Sequence, residues 1–211
     1  MNIVCYAGCC AGALMCDLLN NEQGVIHQLG FIKTKKSEEL KPGPFVLGDR
    51  TSSFHNLALN DQTTWLGTVN HMKGWHTKDI WFGTHLNPYT IPNITDFEKV
   101  VNITTVTKKS HWFKFLRAYH LPTVKFFNPE SDISVEHLQV IMKTMINDRF
   151  LPHDYCTNVE FEDIVSGSFV SDNNLNTEHF EKWKQTNPWL YGTDYIKERN
   201  AFDEVWERNE T

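Results

Sequence analysis

The sequence of 211 residues contains no apolar run long enough to cross a bilayer. A membrane-spanning helix needs roughly 20 predominantly apolar residues in succession. The first residues also lack the basic segment that opens a secretory signal. We therefore expect neither secretion nor membrane insertion, and we expect a cytoplasmic location.

Positive charge is scarce as well. The chain has 20 Lys and Arg against 26 Asp and Glu, which gives a formal net charge of −6. Recognition of a nucleic-acid backbone needs an excess of positive charge on some face. This balance argues against a general nucleic-acid binder, but a small anionic ligand stays open because local backbone geometry can bind one.

The five cysteines, an odd number, fit reduced thiols better than a disulfide framework. Four of them lie in the first sixteen residues: Cys5, Cys9, Cys10 and Cys16. The sequence has no C-x-x-C pair and no second Cys/His cluster that would complete a tetrahedral site. We therefore expect no metal ion.

The most informative stretch is the opening one, residues 2–20, NIVCYAGCCAGALMCDLLN. Its order predicts a buried strand, a tight loop between Gly8 and Gly12, and a helix. Exposed N–H groups at such a helix start form an anion site. The spacing is one residue short of a P-loop, and Ala13 and Leu14 stand where Lys and Ser/Thr would be. An ordinary first strand-to-helix turn of an open α/β sheet is the alternative.

The remaining pattern alternates between strands and helices. Strands are predicted over 79–85, 97–106 and 158–164, and helices over 52–72, 110–120 (capped by Ser110), 135–150, 177–185 and 194–208. A mixed apolar segment covers 25–32, and a charged loop with Pro and Gly covers 33–44. The alternation predicts one α/β domain over 1–211, with a mainly parallel sheet covered by helices on both faces.

Ligands of such sheets bind beyond the carboxyl ends of the strands. Three strand ends carry suitable residues: the Gly8 loop, the Thr84-His85 end, and residues 107–110. We expect these three ends to face one crevice.

Residues 79–110, DIWFGTHLNPYTIPNITDFEKVVNITTVTKKS, resemble a segment of the cytosolic sulfotransferases. In that family a strand ends in Lys-Thr-His-Leu-Pro and a second strand leads into an Arg-led phosphate turn. Thr84, His85 and Leu86 match the first motif, whereas Gly83 replaces its lysine and Asn87 is inserted before the proline.

Two later stretches resemble the same family in the same order. VEFEDIVSG, from Val159, is similar to its strand ending in Tyr-Glu-Asp. Trp183-Lys184, with Ala-Phe-Asp-Glu-Val-Trp before Glu207, is similar to its closing loop and terminal helix. The resemblance thus spans most of the chain.

This resemblance implies a P-loop-like three-layer fold and a transferase that needs no metal. The enzyme would move a sulfuryl group from 3′-phosphoadenosine 5′-phosphosulfate (PAPS) to a hydroxyl or amine, with His85 as the general base. The phosphosulfate would lie on Gly8, Cys9, Cys10, Ala11, Gly12, Ala13 and Leu14. The 3′-phosphate would be held by Thr107, Lys108, Lys109, Ser110 and Arg117.

The chain departs from the family at both phosphate sites. Cys10 stands where the family has a basic residue in the opening loop. Thr107 or Lys108 takes the place of the 3′-phosphate arginine, and Phe115 or Leu116 that of its serine. Glu162 and Asp163, in the family's Glu-Asp positions, are expected to be structural.

Two other functions remain open. A P-loop kinase is disfavoured because no lysine follows Gly12 and Ala13 has no hydroxyl for Mg²⁺. A nucleotide-binding module that kept the fold but lost the chemistry is favoured by the missing loop cation. For an enzyme, the negative net charge favours a neutral saccharide, small alcohol or lipid headgroup over a polyanionic acceptor.

Overall fold

The computed structural model describes residues 2–21, 26–33, 40–47, 81–91, 93–120, 134–192 and 195–210. The helix predicted over 52–72 lies outside these residues. No helix within these ranges is long and apolar enough to span a membrane.

Six strands form one sheet: β1 (Asn2–Tyr6), β2 (Ile26–Lys33), β3 (Leu40–Leu47), β4 (Trp81–Thr84), β5 (Lys99–Thr104) and β6 (Thr157–Glu160). Their order across the sheet is β3-β2-β4-β1-β5-β6. The four neighbours β4, β1, β5 and β6 are all parallel, whereas β2 and β3 are antiparallel to each other. The chain is therefore an α/β protein with a mainly parallel sheet, as the sequence predicts.

Within the described ranges, seven α-helices accompany the sheet: α1 (Gly12–Asn20), α2 (Lys108–His120), α3 (Val135–Asn147), α4 (Phe161–Ser166), α5 (Ser168–Asp172), α6 (Thr177–Thr186) and α7 (Ile196–Glu210). Short 3-10 helices cover Pro88–Thr90, Ile94–Asp96 and Pro188–Leu190. The predicted helices over 135–150, 177–185 and 194–208 are confirmed within a few residues at each end.

Strand β1 is the centre of the fold. All five of its residues are buried, and β4 and β5 pair with its two edges. A parallel strand covered on both faces is typically a continuous apolar run, which is what residues 2–6 are apart from Asn2. Helix α1 packs against β1, β2, β4 and α6. The loop between β1 and α1 therefore starts from a fully buried strand in the interior of the sheet.

Helix α2 links the sheet to the second half of the chain. It contacts α3, α4 and α7. Three fully buried phenylalanines, Phe115, Phe161 and Phe202, come from α2, α4 and α7 respectively. This shared core fixes α2 relative to α4 and α7.

The loop predicted over 33–44 is wrong in its last part, because β3 begins at Leu40. Pro42 and Pro44 face Phe31 and Leu29 in the antiparallel pair with β2. Proline lacks the N–H that a second neighbouring strand would need, but β3 is an edge strand and has only one neighbour.

One predicted element start and one predicted element end are also wrong. Helix α2 begins at Lys108, so Ser110 lies within its first turn, and the Thr107 hydroxyl accepts a hydrogen bond from the Ser110 N–H at 2.9 Å. The strand predicted over 158–164 ends at Glu160, where its last partner is Thr104. Since β5 ends at Thr104, residues after Glu160 have no β5 residue to pair with, and the chain continues into α4.

Candidate functional site

The carboxyl ends of β4, β1 and β5 lie side by side. The register pairs Cys5 with Thr84 on one edge of β1 and Tyr6 with Ile103 on the other. Three segments therefore leave the sheet at the same end, the carboxyl end of its parallel strands. They are the Gly8 loop, the segment that starts at His85 and the turn at 105–107. The fold brings these three segments together, as the strand order requires.

The loop after β1 has an unusual backbone. Cys9 and Ala11 have positive φ angles of 68° and 56°, and the Cys10 N–H donates to the Ala7 carbonyl at 3.2 Å. No side chain of the described residues caps α1, and its first turn holds no acidic residue. The N–H groups of Gly12, Ala13 and Leu14 begin the helix, where backbone donors lack intrahelical acceptors. This is a backbone suited to binding an anion.

The Tyr6 ring packs directly over this helix start. A Cβ atom placed on Gly12 would lie 2.1 Å from the ring, so no other residue fits there without a shift. A Cβ on Gly83 would lie 3.1 Å from the same ring and 3.3 Å from the Cys16 sulfur. This crowding gives a physical reason why glycine stands at position 83.

His85 is held against the end of β1. Its Nδ1 lies 3.1 Å from the Tyr6 carbonyl oxygen, and its ring meets the Tyr6 ring edge-on at 4.4 Å between centroids. A carbonyl oxygen only accepts hydrogen bonds, so Nδ1 carries the proton. In the neutral imidazole Nε2 then keeps its lone pair, which is the state that a general base needs.

The loop thiols are structural. The Cys10 Sγ donates to the Gly8 carbonyl at 3.6 Å, and burial raises the pKa of this thiol to about 12. Burial likewise raises the pKa of Cys9 and Cys16. A protonated thiol is a poor nucleophile and a poor metal ligand. Within the described ranges no three His, Cys, Asp or Glu residues are grouped to hold a metal ion.

Arg117 lies apart from the other residues assigned to the 3′-phosphate. It follows Lys108 by nine positions, about 13 Å along a helix axis. Its Nε donates to the Asn187 side chain at 3.3 Å, and its guanidinium lies 5.6 Å from the Trp183 ring centre. Its positive charge offsets part of the effect of burial on the Cys9 and Cys10 thiols, whose pKa values stay raised. Arg117 thus contributes positive potential to the opening loop.

The turn from β5 into α2 is rich in polar contacts. Lys109 pairs with Glu162 at 2.9 Å and Lys108 with Asp203 at 2.8 Å. The Thr107 hydroxyl lies 2.9 Å from the Ser110 hydroxyl and 3.2 Å from a Glu162 carboxylate oxygen. Four of the five assigned residues are thus consecutive in the chain, and three of them, Thr107, Lys108 and Lys109, each contact a carboxylate.

No family model, curated protein or solved structure matches this chain.

Two groups that belong to this site were not identified from the sequence. Tyr6 was assigned only to the buried strand, although it contacts Gly12, Gly83 and His85. The sequence signal that could have indicated Tyr6 is a large aromatic residue just before a glycine-bounded loop. Glu162 was expected to be structural, and its contacts with Thr107 and Lys109 depend on a pairing across more than fifty positions that the sequence does not encode locally.

Proposed function

We propose that the chain is a cytoplasmic enzyme that transfers a sulfuryl group from PAPS to a hydroxyl or amine of a small molecule, saccharide or lipid. His85 would act as the general base in a P-loop-like three-layer fold with helices on both faces of the sheet. One observation carries the proposal: the Tyr6 carbonyl, at the strand end from which the anion-binding loop departs, orients the His85 ring.

The proposed roles follow from the hydrogen bond that orients the His85 ring. Its Nδ1 proton is held by the Tyr6 carbonyl, so Nε2 would accept the proton of the acceptor hydroxyl. The first-turn N–H groups of α1 would stabilise negative charge on the phosphosulfate. When bound, PAPS supplies the sulfuryl group and a bisphosphate leaving group.

The residues present fit such an anion. Helix α1 is nine residues long, begins at glycine and has neither an acidic first turn nor a capping side chain among the described residues. The charge of Arg117 is close enough to influence Cys9 and Cys10 in the loop. Lys114 and Arg117, whose positive charges both act on these two thiols, would therefore supply the positive charge that Cys10 cannot.

Ligand-dependent thermal stabilisation tests the proposal. Adenosine 3′,5′-bisphosphate, the product of sulfuryl transfer, should raise the melting temperature, because a ligand that binds only the folded state stabilises it. ATP with Mg²⁺ should have a smaller effect, since the loop lacks the lysine and hydroxyl of a P-loop. Stabilisation by ATP with Mg²⁺ alone would contradict sulfuryl transfer and favour a kinase-like protein.

His85→Ala separates binding from chemistry. We expect this variant to bind the bisphosphate nearly as the wild type does, and to lose transfer by about 10²-fold or more, the usual contribution of a positioned base. His137→Ala, at an exposed histidine of α3, is the matched control and should keep its activity. Unchanged turnover in His85→Ala would remove His85 from the mechanism.

A nucleotide-binding module without transferase activity is the second candidate. It is favoured by Cys10, a buried and protonated thiol at the position where the resemblance places a basic residue. The two candidates differ in one result: the module would bind the bisphosphate without transferring sulfuryl groups from PAPS to any acceptor in a panel of alcohols and saccharides.

A further inference from the structure

At the turn between β5 and α2, two glutamate carboxylates accept hydrogen bonds from the hydroxyl, amide and ammonium donors. Glu160 accepts hydrogen bonds from the Val106 N–H at 3.3 Å and from the Thr104 hydroxyl at 3.0 Å. Glu162 accepts from the Thr107 hydroxyl at 3.2 Å and pairs with Lys109 at 2.9 Å. A hydroxyl and an ammonium group at a helix start are the groups that a phosphate would otherwise engage.

Glu162 is fixed in this position by its own backbone. Its N–H donates to the Ser110 hydroxyl at 3.3 Å, so α4 begins directly against the first turn of α2. The Glu162 side chain is only 27% exposed, whereas the Lys109 side chain is 60% exposed. The carboxylate is therefore the better ordered and less hydrated member of the pair.

Glu160 and Glu162 differ in what they contact. Glu160 bonds to Thr104 and Val106, which lie outside the residues assigned to the 3′-phosphate. Glu162 contacts Thr107 and Lys109, which both belong to that set. A phosphate that engaged these two residues would displace or approach the Glu162 carboxylate, and like charges at such short range repel.

We propose that Glu162 competes with the 3′-phosphate of the donor nucleotide for the start of α2. Glu162 thereby determines how strongly the chain distinguishes a 3′,5′-bisphosphate from a 5′-monophosphate. This inference rests on the proposed function, because it takes the adenosine bisphosphate as the ligand. It predicts that the wild type gains little affinity from the 3′-phosphate.

The test is the affinity of Glu162→Gln for two nucleotides, measured by titration calorimetry. Glutamine keeps an oxygen for the Thr107 hydroxyl but removes the negative charge. We expect adenosine 3′,5′-bisphosphate to bind roughly tenfold more tightly to this variant, the effect of removing one nearby like charge at a partly exposed site. Affinity for adenosine 5′-monophosphate should not change.

Asp163→Asn is the matched control. Asp163 is the next residue, is exposed, and hydrogen-bonds to Ser168 rather than to α2. It should leave both affinities unchanged. Glu162→Ala is the second charge-removing variant, and circular dichroism identifies which variants keep the native fold.

The results separate this inference from the function on which it rests. If the bisphosphate binds but Glu162→Gln and Glu162→Ala bind it no more tightly than the wild type, the competition is excluded and the proposed function stands. If neither nucleotide binds the wild type or any variant, both are overturned. A gain that Asp163→Asn also shows would reflect net charge and would exclude a specific role for Glu162.

Discussion

Tyr6 connects the two halves of the candidate site through a single ring. The ring lies against Gly12 at the start of α1 and against Gly83 in β4, while the Tyr6 carbonyl holds the ring of His85. A change at either glycine would therefore move the ring that packs on the histidine. The glycines are explained by the size of Tyr6 as well as by any ligand.

Gly12→Ala should destabilise the protein. The added methyl group would lie 2.1 Å from the Tyr6 ring, which is itself buried and cannot move freely. Overpacking of this kind costs about 1 to 3 kcal/mol. Urea unfolding measures the loss, and Gly8→Ala is the control because nothing lies within 4 Å of its added Cβ. Equal urea unfolding midpoints for the two variants would show that the Tyr6 ring moves aside without cost and would contradict the prediction.

His111 is a buried histidine with an unusual environment. Only 2% of it is exposed, and its two ring nitrogens have no hydrogen-bond partner among the residues that the structure describes. Burial, with the nearby positive charges of Lys114 and Arg149, lowers the pKa of His111 from 6.5 to about 4. The unfolded chain therefore binds this proton at a higher pH than the folded protein does.

Stability should consequently fall as the pH drops from 6.5 towards 4, and this contribution should level off below 4. At pH 5 the proton on His111 favours the unfolded state by about 2 kcal/mol. His111→Phe, which keeps the ring packed near Trp206, should lose this contribution. Urea midpoints of the wild type and the variant at pH 7.5 and pH 5 measure it. A difference between the two proteins that is the same at both pH values would contradict the prediction.

At the scale of elements, one lysine joins α2 to the end of α3. Lys114 is 2% exposed, and its ammonium group donates to the carbonyls of Met145 at 3.1 Å and Asp148 at 2.8 Å. Carbonyl groups at the end of a helix have no intrahelical donors. A positive charge there also complements the helix dipole.

Lys114→Met should loosen this junction. The variant keeps most of the side-chain volume but leaves two carbonyl groups without their donor, which costs about 1 to 3 kcal/mol. Lys143→Met, at an exposed position of α3, should change stability by less than about 0.5 kcal/mol. Hydrogen exchange should show faster opening at the end of α3 in Lys114→Met alone, and unchanged exchange would mean that α3 holds its end without the lysine.

The elements show what local sequence can and cannot predict. The helix predicted over 135–150 is present as α3, since its apolar spacing and the Ser134 cap act within the helix itself. The strand predicted over 158–164 stops at Glu160, because its length depends on a partner that ends at Thr104. The alternation of strands and helices was enough to predict that the three strand ends lie together. The contacts of Glu162 could not be predicted, because they depend on the tertiary fold.

At the scale of the whole molecule, net charge limits which acceptors the proposed transferase could bind. The chain carries −6, and three of the cations near the proposed site, Lys108, Lys109 and Lys114, pair with protein groups. Local positive potential can bind a compact bisphosphate. A long polyanion would also meet the negative charges on the rest of the surface.

We therefore expect the chain not to bind heparin at about 0.15 M salt, where electrostatic attraction extends only about 8 Å. The measurement is retention on a heparin column, with an uncharged dextran column of the same matrix as the control. Elution together with the dextran control would agree with a neutral saccharide, small alcohol or lipid headgroup as acceptor. Retention that persists to about 0.3 M salt would contradict this expectation, because a basic surface strong enough to resist that screening would have to exist despite the net charge.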